Sequence, residues 1–234
     1  APAKDEVLSE NEQALVNSCP YREVVGALLY VYLLSRPNAG NAIHQLCRFG
    51  SNFSIEHVKA LRQTVLYLLA TREEGICYRA NASIVPFAAA DSSWSGDPVD
   101  MTSTYGYGLM MAGALMAWGV GRSPFPLPTS MDAECFSLRE CMACFIGELK
   151  TILSVLPQLS LMAPFEVLQD NTSVIDLAEG LGKTSKRRHI RMRVLYVIHL
   201  VAIKLFKLGW IPTDLMWADI WSKSASASIF REHS

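Results

Sequence analysis

The apolar periodicity of this 234-residue chain switches near residue 82 from helical to strand-like, so the chain must build two different kinds of structure. From Tyr21 to Leu34 an apolar stretch keeps helical spacing until the Ser35-Arg36-Pro37-Asn38 turn, where proline stops it. Residues 42–49 and 54–70 follow as helices. In the second, Val58, Leu61, Val65, Leu68 and Leu69 form an i, i+3, i+4 stripe, and Ser54 with His57 gives a partial cap signal. Residues 1–20 are polar and read as a loose leader ending at Pro20. Residues 1–80 are thus expected to form a small all-helical unit.

Near residue 82 the pattern changes. Ser83 to Ala90 reads as a strand ending in Asp91, and residues 104–111 and 115–120 as two more, joined at Ala112-Gly113-Ala114 in an antiparallel meander. A long amphipathic helix over 132–156 follows, then Phe165 to Gln169 as a buried strand ending in Asp170, and a short helix over 171–178 closed by Gly180. A further helix carries Ile190, Val194, Val197, Ile198, Val201 and Leu205 on one face. A last strand over 207–211 leads to a closing helix over 212–221 that contains Asp219. The order β-β-β-α-β-α-α-β-α describes an α/β domain over residues 82–230.

Half of the residues are hydrophobic and 18% are charged, which fits a packed globular protein and excludes extended disorder. A formal net charge of −1 gives no global electrostatic case for nucleic-acid binding, so such a role needs a local cluster. Lys183, Lys186, Arg187, Arg188, Arg191 and Arg193 supply one. Cations at the start of a helix oppose its dipole, so helix stability does not explain them; phosphate contact does, and a solvated basic face is the alternative. Cys19, Cys47, Cys77, Cys135, Cys141 and Cys144 read as reduced, buried thiols of a cytosolic protein. Cys141 and Cys144 form a CxxC, open to core packing or to metal. The longest apolar runs, 108–121 and 194–206, fall short of the roughly 18 residues that a membrane span needs.

The chemistry lies in the acids. Asp91 and Asp170 end strands, Glu134 opens the long helix, and Asp219 sits in the last one. Side chains at strand ends and adjoining helix turns converge on one edge of an α/β sheet. Carboxylates gathered there repel one another unless they hold divalent metal, and hard oxygen ligands favour magnesium or manganese. Two such ions would clamp the attacking water and the leaving oxygen of a phosphodiester hydrolysis. Taken singly, each acid is equally at home as a helix cap or a partner of the helix dipole.

Six segments occur in order: 90–97 (ADSSWSGD), 103–107 (STYGY) with Trp118, 130–134 (SMDAE), 169–175 (QDNTSVI), 188–190 (RHI) and 218–223 (ADIWSK). Together they resemble the ribonuclease H domain of copia-type retrotransposon Pol polyproteins. Tyr21-Arg22, 25–30 (VGALLY), Ser35-Arg36-Pro37, Gln45-Leu46, Arg48-Phe49, 57–61 (HVKAL) and Tyr67-Leu68 resemble the thumb and connection that end the reverse transcriptase of the same polyproteins. No Tyr-x-Asp-Asp polymerase motif is present.

The resemblance implies a ribonuclease H-like mixed five-stranded sheet flanked by helices, preceded by the helical thumb segment. It implies two Mg2+ or Mn2+ ions held by Asp91, Glu134, Asp170 and Asp219, an RNA–DNA hybrid as substrate, and the upstream fingers and palm as partner, in a cytoplasmic virus-like particle. Asn171, Lys186, Arg187, Arg188, His189 and Arg191 are the expected nucleic-acid contacts; Asn171 is equally placed to cap the next helix, His189 to be a structural histidine, and Trp94 and Trp118 to stack on substrate or to be buried. The chain departs from the family at Gly119-Val120-Gly121-Arg122, where basic or amide residues are usual, and at Asn38, where aspartate is usual. A catalytically inactive scaffold or binding module of the same fold is the competing function, and an integrase or junction resolvase a third.

Overall fold

The computed structural model describes residues 9–96, 100–180 and 188–223, with the backbone alone for Arg188–Arg193. The chain forms two compact units, Ala1–Ile76 and Cys77–Ser234. In the first, α1 (Glu10–Ser18), α2 (Tyr21–Leu34), α3 (Gly40–Cys47) and α4 (Ile55–Ala70) pack around Tyr21, Val25, Leu28, Ile43, Leu46, Val58 and Leu61. The expected loose leader is corrected by α1: Ser9 and Glu12 form a reciprocal capping box that nucleates a helix in a polar stretch. His57 does the same for α4, its Nδ1 accepting from the Ser54 amide at 3.0 Å. Asn38 also finds its reason here. Its side chain accepts from Arg36 Nε at 3.3 Å and donates to Tyr67 Oη at 2.9 Å, a dual role that an ionised aspartate could not fill.

The second unit contains the expected five-stranded mixed sheet. Strands β1 (Phe87–Ser93), β2 (Thr104–Met111), β3 (Ala114–Arg122), β4 (Phe165–Gln169) and β5 (Phe206–Trp210) lie in the order β3-β2-β1-β4-β5. The first three pair antiparallel, and β4 runs parallel to both β1 and β5. This is the ribonuclease H-like arrangement. Ala112 and Gly113, with φ of 53° and 76°, make the tight β2–β3 turn.

Helices α5 (Ser130–Val155), α6 (Thr172–Ala178) and α7 (Arg188–Ala202) cover one sheet face around Ala88, Ala90, Leu138, Phe145, Val167 and Val197. The other face is closed by the C-terminal segment, where Met216, Ala218, Ile220 and Trp221 pack on Ala89. Trp221 is fully buried over Gly106 and Gly108, where any side chain would collide with its ring or backbone. These glycines seat the short α8 (Asp219–Ser222) beside β1, and this seating brings Asp219 and Ser222 to the site.

Three further expectations are corrected. Strand β1 starts at Phe87 and carries Asp91 inside it: Pro86 has no N–H for a ladder, and the Val85 amide bonds to Ser83 Oγ at 3.2 Å. The closing helix over 212–221 breaks into a 3-10 turn, Thr213–Leu215, and α8, because Met216 takes extended ψ of 89° to reach the core. Only Cys135 and Cys141 are buried thiols; Cys47 and Cys77 are exposed, and Cys19 and Cys144 half-buried. Among the described residues no helix is long and apolar enough to cross a membrane.

Candidate metal centre

The register of β1 on β4 pairs Ala89 with Leu168, so two residues further along each strand Asp91 stands across from Asp170. Helix α5 brings its first turn over the same edge. Thr129 caps it, accepting from the Asp132 amide at 3.1 Å, and Ser137 Oγ donates to the Asp91 carbonyl at 2.8 Å, tying the helix to the strand. The result is one group in which ligand oxygens of Asp91, Glu134 and Asp170 all lie within 4.8 Å of one another.

Burial first, and then the charges of Asp219 for Asp91 and of Asp91 and Asp170 for Glu134, push these two carboxyls up to about 7 and about 8; Lys223 and the Ser222 hydroxyl pull Asp91 back down. Such carboxylates are costly to ionise without a cation, and an all-oxygen donor set matches a hard divalent ion. The residues therefore fit a hard divalent cation.

Several neighbours hold the acids in place. Gln169 is fully buried; its Nε2 donates to Glu134 Oε2 at 3.3 Å, and its Oε1 accepts from the amides of Asp170 and Asn171 at 2.7 and 3.4 Å. Thr213 Oγ1 donates to Asp170 Oδ2 at 3.0 Å. Ser222 Oγ donates to Asp91 Oδ2, and Lys223 Nζ reaches Asp91 Oδ1 at 3.3 Å and Asp219 Oδ1 at 2.7 Å. Asp219 thus stands beside the group of three, its carboxyl close to that of Asp91 and also bridged to it by Lys223.

Asn171 caps α6, its Oδ1 accepting from the Ser173 amide at 3.1 Å. Trp94 is half exposed with its indole N–H fixed to the Leu127 carbonyl at 2.8 Å, whereas Trp118 packs against the C-terminal core cluster. Lys186 and Arg187 lie outside the described residues, as do the side chains of Arg188, His189 and Arg191.

No family model matches the chain. It is 26% identical to the retrovirus-related Pol polyprotein from transposon RE1 of Arabidopsis thaliana, over 93% of this chain and 15% of that protein. It is 25% identical to the corresponding polyprotein from transposon TNT 1-94 of Nicotiana tabacum, over 91% of this chain and 16% of that one. Both relatives are retrovirus-related Pol polyproteins from transposons. The similarity takes in both units, and the chain spans about a sixth of the length of these Pol polyproteins. Among solved structures, it is similar to LC11-RNase H1 in complex with RNA/DNA hybrid, with 16% identity, a TM-score of 0.44, and coverage of 64% of this chain and 99% of that one. It is also similar to an N-terminal RNase H domain from Mycobacterium tuberculosis, with 17% identity, a TM-score of 0.42, and coverage of 65% of this chain and 100% of that one.

Against this Pol background, Gln169, Thr213, Ser222 and Lys223 are the site neighbours that reading the sequence did not single out. Ser222 and Lys223 stand 131 and 132 residues from Asp91. Both lie in the 218–223 segment (ADIWSK) that resembles the Pol polyproteins, which is the signal that could have found them.

Proposed function

We propose that the second unit is a ribonuclease H that hydrolyses the RNA strand of RNA–DNA hybrids by a two-metal mechanism during retrotransposon reverse transcription. The observation that carries the reading is the cup of Asp91, Glu134 and Asp170, with ligand oxygens within 4.8 Å, in a ribonuclease H-like sheet of a chain homologous to transposon Pol polyproteins. These three, with Asp219 at the margin, would hold magnesium or manganese. When bound, such ions lower the pKa of the attacking water and neutralise charge developing on the scissile phosphate.

The chain's own contribution is to place and charge the ligands. Strands β1 and β4 fix Asp91 against Asp170 by parallel pairing, α5 lowers Glu134 between them, and Gln169 keeps Glu134 turned toward both. Burial holds back ionisation of Asp91 and Glu134 until a cation arrives, so ligand deprotonation and ion binding are coupled. The basic run from Lys183 to Arg193 supplies phosphate contacts along the hybrid, and the residues 1–76 derive from the thumb and connection of the polymerase.

Digestion of an end-labelled RNA–DNA hybrid with magnesium tests the proposal. Asp170→Asn is expected to abolish cleavage while leaving the far-ultraviolet circular dichroism and melting profile intact. If the variant cuts as well as the parent, the metal assignment is wrong.

A further inference from the structure

One cation is already built into the acid cluster. Lys223 Nζ lies 2.7 Å from Asp219 Oδ1 and 3.3 Å from Asp91 Oδ1, bridging the fourth acid to the group of three. Asp91, at 1% exposure, has both carboxylate oxygens engaged: the ammonium lies 3.3 Å from each, and the Ser222 hydroxyl donates to Oδ2. An ammonium at such distances makes charge-assisted hydrogen bonds to both acids and, as a compact point charge, takes the place that an ion bridging them would need.

We propose that Lys223 is a resident cation of the site, occupying the position between Asp91 and Asp219 until a second divalent ion displaces it. The proposal rests on the metal-centre reading above and adds an order to it. A first ion in the cup of Asp91, Glu134 and Asp170 leaves the lysine bridge standing. A second ion must compete with the bridge for Asp91 and Asp219.

The lysine is suited to yielding. Its side chain is 40% exposed and sits at the C-cap of the four-residue α8, so the ammonium can swing into water. The four-atom apolar stem of lysine gives the reach, and its ammonium is readily rehydrated, unlike a planar guanidinium locked in two bonds. Displacing it exchanges one positive charge for two in a pocket where burial makes every unpaired carboxylate costly.

The test is calorimetric titration of the full chain with Mn2+ in the absence of nucleic acid, alongside melting curves. The wild-type chain is expected to bind one ion in the accessible range and a second only at much higher concentration. Lys223→Met, which keeps the stem and removes the charge, should bind the second ion at about one tenth of that concentration or lower, as loss of a charge-assisted pair implies. Its melting temperature should respond to Mn2+ more steeply than that of the parent. Lys223→Arg, which keeps the charge in a less readily displaced head group, should leave the second ion bound no more tightly than in the parent. A folded Lys223→Met with a wild-type isotherm, or a parent that binds two ions with equal affinity, overturns the resident-cation role and leaves the metal centre standing. A parent that binds no Mn2+ at all, indistinguishable from Asp170→Asn, overturns the metal centre and the proposal with it.

Discussion

Replacing Gln169 by methionine tests whether one buried amide sets the geometry of the centre. The amide has a forced orientation: two backbone N–H groups, of Asp170 and Asn171, require its oxygen on their side, so its NH2 must face Glu134. Methionine matches the volume and removes all three bonds. Leaving a buried donor or acceptor without a partner costs about 1–3 kcal/mol each. Asp170 and Asn171 are only part-buried and can recruit water, which brings the expected destabilisation to about 2–4 kcal/mol. For a domain of this size, that lowers the melting temperature by about 4–16 °C.

The effect on catalysis should exceed the effect on stability, since a displacement near 1 Å of catalytic groups can cost about 100-fold in rate. Below the melting transition, hybrid cleavage by Gln169→Met should fall about 100-fold, and the magnesium concentration for half-maximal rate should rise. Gln169→Glu separates the two ends of the amide. It keeps an acceptor for the backbone amides but sets a carboxyl against Glu134, so it should be destabilised more at high pH than at low pH. A Gln169→Met protein that melts within a degree of the parent and cleaves at the parent's rate would show that Glu134 is held by other means.

The metal-free chain should lose stability as pH rises. Asp91 and Glu134 are lifted from 3.8 and 4.5 to about 7 and about 8 in the fold, so between these values the folded state binds more protons than the unfolded chain. Its melting temperature with chelator present should decline from pH 5 to pH 8, and Mn2+ should reverse the decline; a rise over that window contradicts the burial of the pair. Gly106→Ala would drive a methyl into Trp221 and should destabilise by about 1–3 kcal/mol in urea titrations, while weakening Mn2+ binding because α8 shifts; an unchanged urea midpoint contradicts the packing. Thr213→Val removes the hydroxyl that bonds Asp170 at 3.0 Å and should slow cleavage several-fold with little change in melting, as expected for one exposed bond of about 0.5–1.5 kcal/mol.

What could be read from the sequence follows from how local each signal is. Strands β2 and β4 and helix α2 have the expected limits because alternation or helical spacing runs unbroken between clear stops at Gly113, Asp170 and Pro37. Strand β1 was displaced because Ala88, Ala89 and Ala90 are buried on both faces, which erases the alternation that marks a strand end. The C-terminal segment does not form the single helix that its sequence predicts because what breaks it is tertiary: Met216 leaves helical geometry to enter a core formed with Ala89, far away in sequence. The acids could be named beforehand since each sits in a recurring local setting, and parallel pairing of two strands then needs no further information to bring Asp91 and Asp170 together. The groups that control those acids behave differently. Lys223 matters through Asp91, 132 residues away, and its place depends on glycines in β2 that admit Trp221. A residue whose role is defined by a partner's position in space leaves no local periodicity, and so the charge balance of the centre becomes legible only once the fold has brought β1, β4 and α8 together.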